Sequence, residues 1–288
     1  MKLTNILKSG KCSLSFEVFP PKTDDNFESV KNAVREIATL KPAFMSVTYG
    51  AGGGTSKYTL DIAKEIKTEH GVSTLAHLTC VSSTRATVRA RIAEMKAAGI
   101  ENVMALRGDL KPGMENEDRS AWAYRHASDL IEELKGEGFC IGGACYPEGH
   151  PESPTLYSDI DNLKRKVDCG CDFLTTQMFF DNDLYYSFLS KVRDAGIYVP
   201  VIAGVMPVTN GAQIKRMMAL SGGTLPTRFK RIIDKFGDKP AAMKQAGIAY
   251  VTEQIIDLYA NGVRAVHVYS MNKPDVATAI KANLSEIL

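Results

Sequence analysis

The 288 residues carry 44% hydrophobic and 24% charged side chains and a formal net charge of +2, the make-up of an ordinary globular chain long enough to bury a core without covalent staples. A balance this near neutrality excludes a broad electrostatic footprint for nucleic acid. No stretch approaches the roughly 18 consecutive apolar residues that span a bilayer, and the opening MKLTNILKSGKCSLSFEVF lacks the apolar core and cleavage site of a signal peptide. A cytoplasmic protein is expected.

Along the chain a short apolar strand pattern followed by a helical pattern recurs, as parallel β/α units require. The first strand is SLSFEVF, in which Leu14, Phe16 and Val18 face the helices and Ser13, Ser15 and Glu17 face inward. It ends FPPKTDD, without the Gly-rich nucleotide turn that an open doubly wound sheet would place there. Asp24 and Asp25 then precede a helix whose Phe27, Val30, Val34 and Ile37 recur at spacings of three and four. The second strand, AFMSVTYG, ends inward at Thr48 and runs into GAGGGTSK, which matches neither a P-loop nor G-x-G-x-x-G and reads as a loop. The third, STLAHLTC, ends inward at His77. Thr84 opens the following helix, with Val88, Ile92 and Met95 on its apolar face and Gly99 as its stop.

The fourth strand, NVMALRGD, is read as ending inward at Arg107, and the fifth, CIGGACYP, at Tyr146. In the next helix Leu156, Ile160, Leu163 and Val167 form the apolar stripe. Asp159, Asn162 and Lys166 share the opposite face with Arg165 beside them. The sixth strand, FLTTQMFF, ends inward at Gln177; the seventh, VPVIAGVM, ends apolar; the eighth, AVHVYSM, ends inward at Tyr269. Eight strands in strict alternation with helices predict a single (β/α)8 TIM barrel with extra helices, one catalytic domain over residues 1–288 and no regulatory domain. The length suits it, since such barrels take about 250 residues.

Six cysteines at 12, 80, 140, 145, 169 and 171 have no C-x2-C spacing, so reduced thiols behaving as small hydrophobes are expected, and no metal. The last inward residue of each barrel strand sits at the catalytic mouth, where a core built for stability would carry Val, Ile and Leu. This rim offers instead two carboxylates (Glu17 and Asp109), a fixed cation (Arg107), an imidazole (His77) and neutral hydrogen-bonding groups. No inward lysine is present for a Schiff base. The set suits a heterocyclic ligand with amide-like edges together with an anionic cofactor.

FEVFPPK, VTYGAGG, AHLTC, ALRGD, YPEGHPES, NLKRKVDCG, TTQMFFD and GVMPVTN, in this order from Glu17 to about Lys273, resemble the flavin-dependent methylenetetrahydrofolate reductases. The resemblance implies noncovalent FAD, a reduced nicotinamide (NADH) as hydride donor, and ping-pong reduction of 5,10-methylenetetrahydrofolate to 5-methyltetrahydrofolate. By the same resemblance Glu17 is the general acid at folate N10, and Asp109 lies near flavin and pterin, its charge facing the developing iminium. Thr48, His77, Arg107, Gly108, Asp109, Ala144, Tyr146, His150, Asp159, Asn162, Arg165 and Lys166 correspond to the FAD shell. Gln177, Gln213, Met217, Tyr269 and Lys273, with Glu17 and Asp109, correspond to the substrate contacts. Met217 stands where bacterial members carry a stacking phenylalanine, Lys273 where an arginine is expected, and His126 where a flavin-contacting tyrosine is common. A homo-oligomer is implied. Two alternatives stay open: an electron-accepting reductase subunit fed by a partner protein, and a flavin-free pterin-binding barrel methyltransferase.

Overall fold

The structure is a computed structural model describing residues 1–21, 26–49, 56–110, 122–212, 214, 217–218 and 223–288. The predicted period-two segments form β1 (Ser13–Val18), β2 (Met45–Val47), β3 (Thr74–Thr79), β4 (Asn102–Leu106), β5 (Cys140–Cys145), β6 (Phe173–Thr176), β7 (Val201–Val205) and β8 (Ala265–Tyr269). They close in sequence order into a parallel barrel, sealed where β1 pairs with β8 from Ser13 opposite Ala265 to Glu17 opposite Tyr269. Between them run α1 (Leu3–Leu7), α2 (Phe27–Thr39), α3 (Ser56–His70), α4 (Arg85–Ala97), α5 (Ala127–Lys135), α6 (Leu156–Asp168), α7 (Asn182–Asp194), α8 (Thr227–Phe236), α9 (Pro240–Ala260) and α10 (Pro274–Asn283). No described helix is long and apolar enough to cross a membrane.

Alternation along the strands sorts the apolar residues into two cores. Outward residues such as Leu14, Phe16, Val103 and Ala203 pack with the helices, while Phe44, Leu75, Met104, Cys140, Phe173, Ile202 and Ala265 fill the barrel. Space inside is tight: a Cβ on Gly142 would lie 2.5 Å from the Phe173 ring, so the bulk of one strand occupies the gap left by its neighbour. The helices start and stop where their sequences require. The Thr84 hydroxyl accepts from the Thr87 N–H at 3.1 Å, Val88, Ile92 and Met95 are buried, and Gly99 takes φ +68° beyond the end. Asp24 and Asp25, expected before α2, and most of the GAGGGTSK loop (residues 50–55) lie outside the described residues.

The N-terminal helix α1 is too short to show a period in the sequence, and its role is visible only in three dimensions. Leu3 is fully buried within the inner core, and its N–H donates to Asn102 Oδ1 at 2.8 Å. Asn102 in turn donates to the carbonyls of Thr74 and Met1. Since Asn102 and Thr74 begin their strands, α1 closes the barrel at the end opposite the mouth. Leu3→Ala is expected to destabilise the protein by about 2–5 kcal/mol without altering ligand binding, checked by denaturant unfolding alongside ligand titration.

The inward reading of Arg107 needs correction. β4 places Asn102, Met104 and Leu106 inside, so its last inward strand residue is the apolar Leu106. Arg107 reaches the mouth because the chain turns there: its carbonyl accepts from the N–H groups of Cys80 and Val81 at 3.1 and 2.7 Å.

Candidate active site

At the carboxyl ends of the strands lies a cleft of about 620 Å³, within the roughly 300–1,000 Å³ typical of small-molecule sites. Glu17 stands at its floor on β1 with His77 from β3 beside it, Glu17 Oε2 lying 3.8 Å from His77 Nε2. Burial drives both towards their neutral forms. Desolvation pushes the Glu17 carboxyl from an ordinary 4.5 up to about 8, a hydrogen bond from Ser46 opposing it, and pulls His77 down to about 4. The contact is therefore a carboxylic acid beside a neutral imidazole, not an ion pair.

Beneath Glu17 is a polar chain that strand-end reasoning missed. His267, the inward residue of β8 one step deeper than Tyr269, lies with Nε2 2.9 Å from Ser46 Oγ and Nδ1 2.8 Å from Ser15 Oγ. Ser15 also donates to the Val266 carbonyl at 3.1 Å. The imidazole stacks on Phe44 at 5.3 Å, and burial lowers its pKa to about 3. The signal was present in AVHVY, where alternation makes both His267 and Tyr269 face inward.

The rim is held by backbone detail. Ser270 donates to the Glu17 carbonyl at 2.6 Å, while Asn272 accepts from Phe19 N–H at 3.0 Å and donates to the Phe19 carbonyl at 2.8 Å. Met271 and Asn272 both take positive φ, +55° and +53°. Asparagine tolerates that region; a methionine held there at the edge of the cleft is a strained residue of the kind that gathers at functional sites. Tyr269 extends across β7, its hydroxyl donating to the Thr176 carbonyl at 2.5 Å. It crosses above Gly204, where a Cβ would fall 2.3 Å from that carbonyl oxygen and 2.6 Å from the Tyr269 hydroxyl. Gly204→Ala is expected to cost more than about 2 kcal/mol through this overlap and to lower ligand affinity by displacing Tyr269, read from thermal unfolding and titration together.

On the opposite side Arg107 forms a fork with Glu152, both N–H···O distances being 2.7 Å. Glu152, on the loop before α6, was another residue sequence reasoning did not single out. Gly108 follows with φ +91°, where a Cβ would lie 2.9 Å from Val81 Cγ1. Asp109 is exposed at the lip. From α6, Asp159 accepts from His150 N–H at 3.2 Å and Ser153 Oγ at 3.0 Å. Lys166 Nζ donates to the Ala144 carbonyl at 2.8 Å, and burial lowers the pKa of this amine. His150 meets Tyr146 edge-on at 4.7 Å. Thr48, Asn162, Arg165 and Gln177 complete this lining, with His126 also on the wall.

The structure thus brings together every expected cofactor-shell residue, along with Glu17, Gln177 and Tyr269. Met217 packs against the apolar cluster of Phe180, Met206, Val208, Ile214, Phe229 and Met243 instead. Lys273 caps α10 and donates to Thr209 Oγ1 at 2.5 Å. Neither is among the described residues lining the cleft, and Gln213 lies outside the described residues. Of the cysteines, 80, 140, 145 and 171 are buried and 12 and 169 half-buried, all as thiols; burial pushes Cys80 up to about 12, which keeps it protonated and unreactive.

A closed parallel barrel with a mixed polar and apolar cleft at its carboxyl mouth defines a (β/α)8-barrel protein with an organic-ligand site. The model of the methylenetetrahydrofolate reductase family matches residues 2–285, and the chain belongs to that family. It is 36% identical over 272 residues to 5,10-methylenetetrahydrofolate reductase of Escherichia coli K12, covering 94% of this chain and 90% of the relative. To methylenetetrahydrofolate reductase (NADH) 1 of Arabidopsis thaliana it is 33% identical over 298 residues, covering 99% of this chain and 50% of the relative. The chain therefore spans about half the length of the plant relatives it matches. Among solved structures, an uncharacterized protein from Clostridium thermocellum that binds two copies of 5-methyl-5,6,7,8-tetrahydrofolic acid superposes with a TM-score of 0.68 at 14% identity, covering 100% of both chains. That likeness shows the fold alone.

Proposed function

We propose that this chain reduces 5,10-methylenetetrahydrofolate to 5-methyltetrahydrofolate with noncovalent FAD, taking hydride from NADH in ping-pong order. The carrying observation is Glu17: a carboxyl at the cleft floor that burial holds protonated up to about pH 8. Opening the folate's five-membered ring to a reducible iminium requires a proton at N10, and a buried acid with this pKa retains one to give at neutral pH. Asp109 at the lip places an acceptor and a negative charge near the cation that develops. Gln177 Oε1 accepts from Met178 N–H at 2.9 Å, which fixes the amide so that its NH2 faces outward as a donor to a pterin carbonyl or ring nitrogen.

The residues fit FAD. One arm of the cleft gathers Arg107, Arg165 and Lys166, cations suited to a diphosphate. Gly108 lines this arm without a side chain. Tyr146 and His150 offer ring faces and polar edges. Bound there, FAD would supply the two-electron relay between nicotinamide and folate. The Arabidopsis relative's name, methylenetetrahydrofolate reductase (NADH) 1, supports that donor.

The test is an absorbance spectrum of the purified protein followed by anaerobic NADH. A flavin band that bleaches with NADH and recovers on adding methylenetetrahydrofolate establishes the reading; a flavin that NADH leaves oxidised replaces the donor with a partner protein. A colourless protein that also fails to bind added FAD overturns it. Gln177→Ala is expected to raise the folate Kd about 10-fold or more with flavin content unchanged; a variant that purifies colourless would move Gln177 into the cofactor shell.

A further inference from the structure

The polar chain beneath Glu17 has four contacts and three resident protons. Glu17 is hydrogen-bonded to Ser46. Ser46 Oγ lies 2.9 Å from His267 Nε2, His267 Nδ1 lies 2.8 Å from Ser15 Oγ, and Ser15 Oγ lies 3.1 Å from the Val266 carbonyl oxygen, which can only accept. Each serine has one hydroxyl proton, and a neutral imidazole has one N–H. Three protons cannot fill four contacts, whichever tautomer His267 adopts. A second proton on His267 would complete the set, but burial holds that ring neutral down to about pH 3. Solvent does not supply it either, because Ser15, Ser46 and His267 are 1%, 0% and 2% exposed. Glu17 itself holds the fourth proton. As a carboxylic acid it donates to Ser46, Ser46 to His267 Nε2, His267 Nδ1–H to Ser15, and Ser15 to the Val266 carbonyl. As a carboxylate it draws the Ser46 proton to itself, and one contact of the chain is left empty where burial makes that costly.

We infer that His267 is a positioning residue for the acid: through Ser46 it keeps the transferable proton on Glu17 between turnovers. The inference rests on the acid role given to Glu17 above, and it extends that role to Ser15, Ser46 and His267, which lie below the described cleft lining. The chain holds the proton and does not replace it, since it ends at a carbonyl with none to pass on; the proton given to the folate returns from the cleft side. The other titratable groups facing Glu17 are His77 from β3 and Tyr269 from β8. Burial keeps His77 neutral above about pH 4 and raises Tyr269 well above its ordinary 10, so neither brings a charge that would set the acid's proton affinity instead.

The test follows the folate half-reaction against pH in Ser15→Ala, His267→Phe and Ser46→Ala. Ser15→Ala leaves two contacts, Glu17–Ser46 and Ser46–His267, and two protons to fill them. His267→Phe keeps a ring against Phe44 and leaves Glu17–Ser46 and Ser15–Val266, again with two protons. In both variants the Glu17 carboxylate gains a donor at no loss elsewhere. The fall in rate at about pH 8 is therefore expected to move down by about 0.5–1 pH unit, the effect of one hydrogen bond. Ser46→Ala takes the donor away from Glu17 and should leave the fall at about pH 8 or higher. Loosened packing would not give opposite signs at neighbouring positions. If the larger ring of His267→Phe prevents folding, Ser15→Ala carries the test alone. An unmoved or raised fall in Ser15→Ala overturns the inference, as does a fall in Ser46→Ala lowered to the same extent. So does an equal shift in the NADH half-reaction, which would report a general disturbance of the cleft. A parent with no fall near pH 8 is a different failure, seen before any variant is made: it removes the acid role itself, and this inference with it.

Discussion

Glu17→Gln is expected to keep FAD and to be reduced by NADH at an unchanged rate, yet to pass electrons to methylenetetrahydrofolate at least about 10²-fold more slowly. The amide matches the carboxylic acid in shape and in hydrogen-bonding ability but carries no acidic proton to transfer. Single-turnover measurement of each half-reaction separates the two effects. Equal loss in both would remove Glu17 from the acid role and make it a binding group. The pH profile carries the same information with a definite sign. Because the acid form is the active one and burial sets its pKa at about 8, the folate half-reaction of the parent should hold level at neutral pH and fall as pH rises through about 8. The residual rate of the glutamine variant should not fall there.

The same shift has a consequence for stability. Unfolded Glu17 loses its proton near 4.5, whereas the folded protein retains it to about 8, so between these values the native state binds the extra proton and stability falls as pH rises. Below about 4.5 the burial costs nothing further; above about 8 the penalty is complete, on the order of several kcal/mol. His77 and His267, held neutral by burial down to about 4 and 3, act on the acid side: stability they contribute above pH 6.5 is lost as the unfolded imidazoles take up protons below it. Removing the carboxyl should therefore stabilise the protein progressively from pH 5 to 8, with little change at pH 5. Thermal unfolding of parent and variant across that range checks it; parallel curves would mean that Glu17 is ionised in the folded state. A site kept at the expense of stability is the ordinary sign of a group retained for function.

Why Glu17, His77, Tyr146, Gln177 and Tyr269 were legible in the sequence, and others were not, follows from what period two encodes. It tells which side of a strand a residue faces, and near a strand's carboxyl end that is almost a statement of site membership. It fails where the chain turns out of the ladder. At Arg107 the backbone has left the ladder to receive the Cys80 and Val81 N–H groups, and facing is then set by the turn. It also does not rank depth, so His267, one step below the rim, reads as core until its partners are seen. Helix α1 escaped because one turn of helix has no measurable period, and Leu3 acts through a contact with Asn102, 99 positions away. Met217 shows the opposite limit: alignment by motif supplies a position in the chain, and the side chain there packs into the Phe180–Phe229 cluster.

Arg107→Ala is expected to weaken FAD binding by on the order of 10²-fold, the loss of a charge-assisted, two-pronged contact to phosphate. The guanidinium is well placed for that exchange. It is largely covered (17% exposed), with its Nε held by the Gly108 carbonyl at 3.1 Å, while its two terminal nitrogens grip a carboxylate that is 46% exposed. A diphosphate oxygen pair presents the same geometry as the Glu152 carboxylate, so phosphate can take over both prongs of the fork. Arg107→Lys should fall between parent and alanine, since it keeps the charge and loses the fork. Raising the salt concentration should erode the affinity of the parent more than that of Arg107→Ala, which has lost part of the electrostatic contribution. Fluorescence titration of FAD at two ionic strengths reads all three proteins. An alanine variant with parental affinity would take Arg107 out of the cofactor shell and leave Arg165 and Lys166 to hold the phosphates.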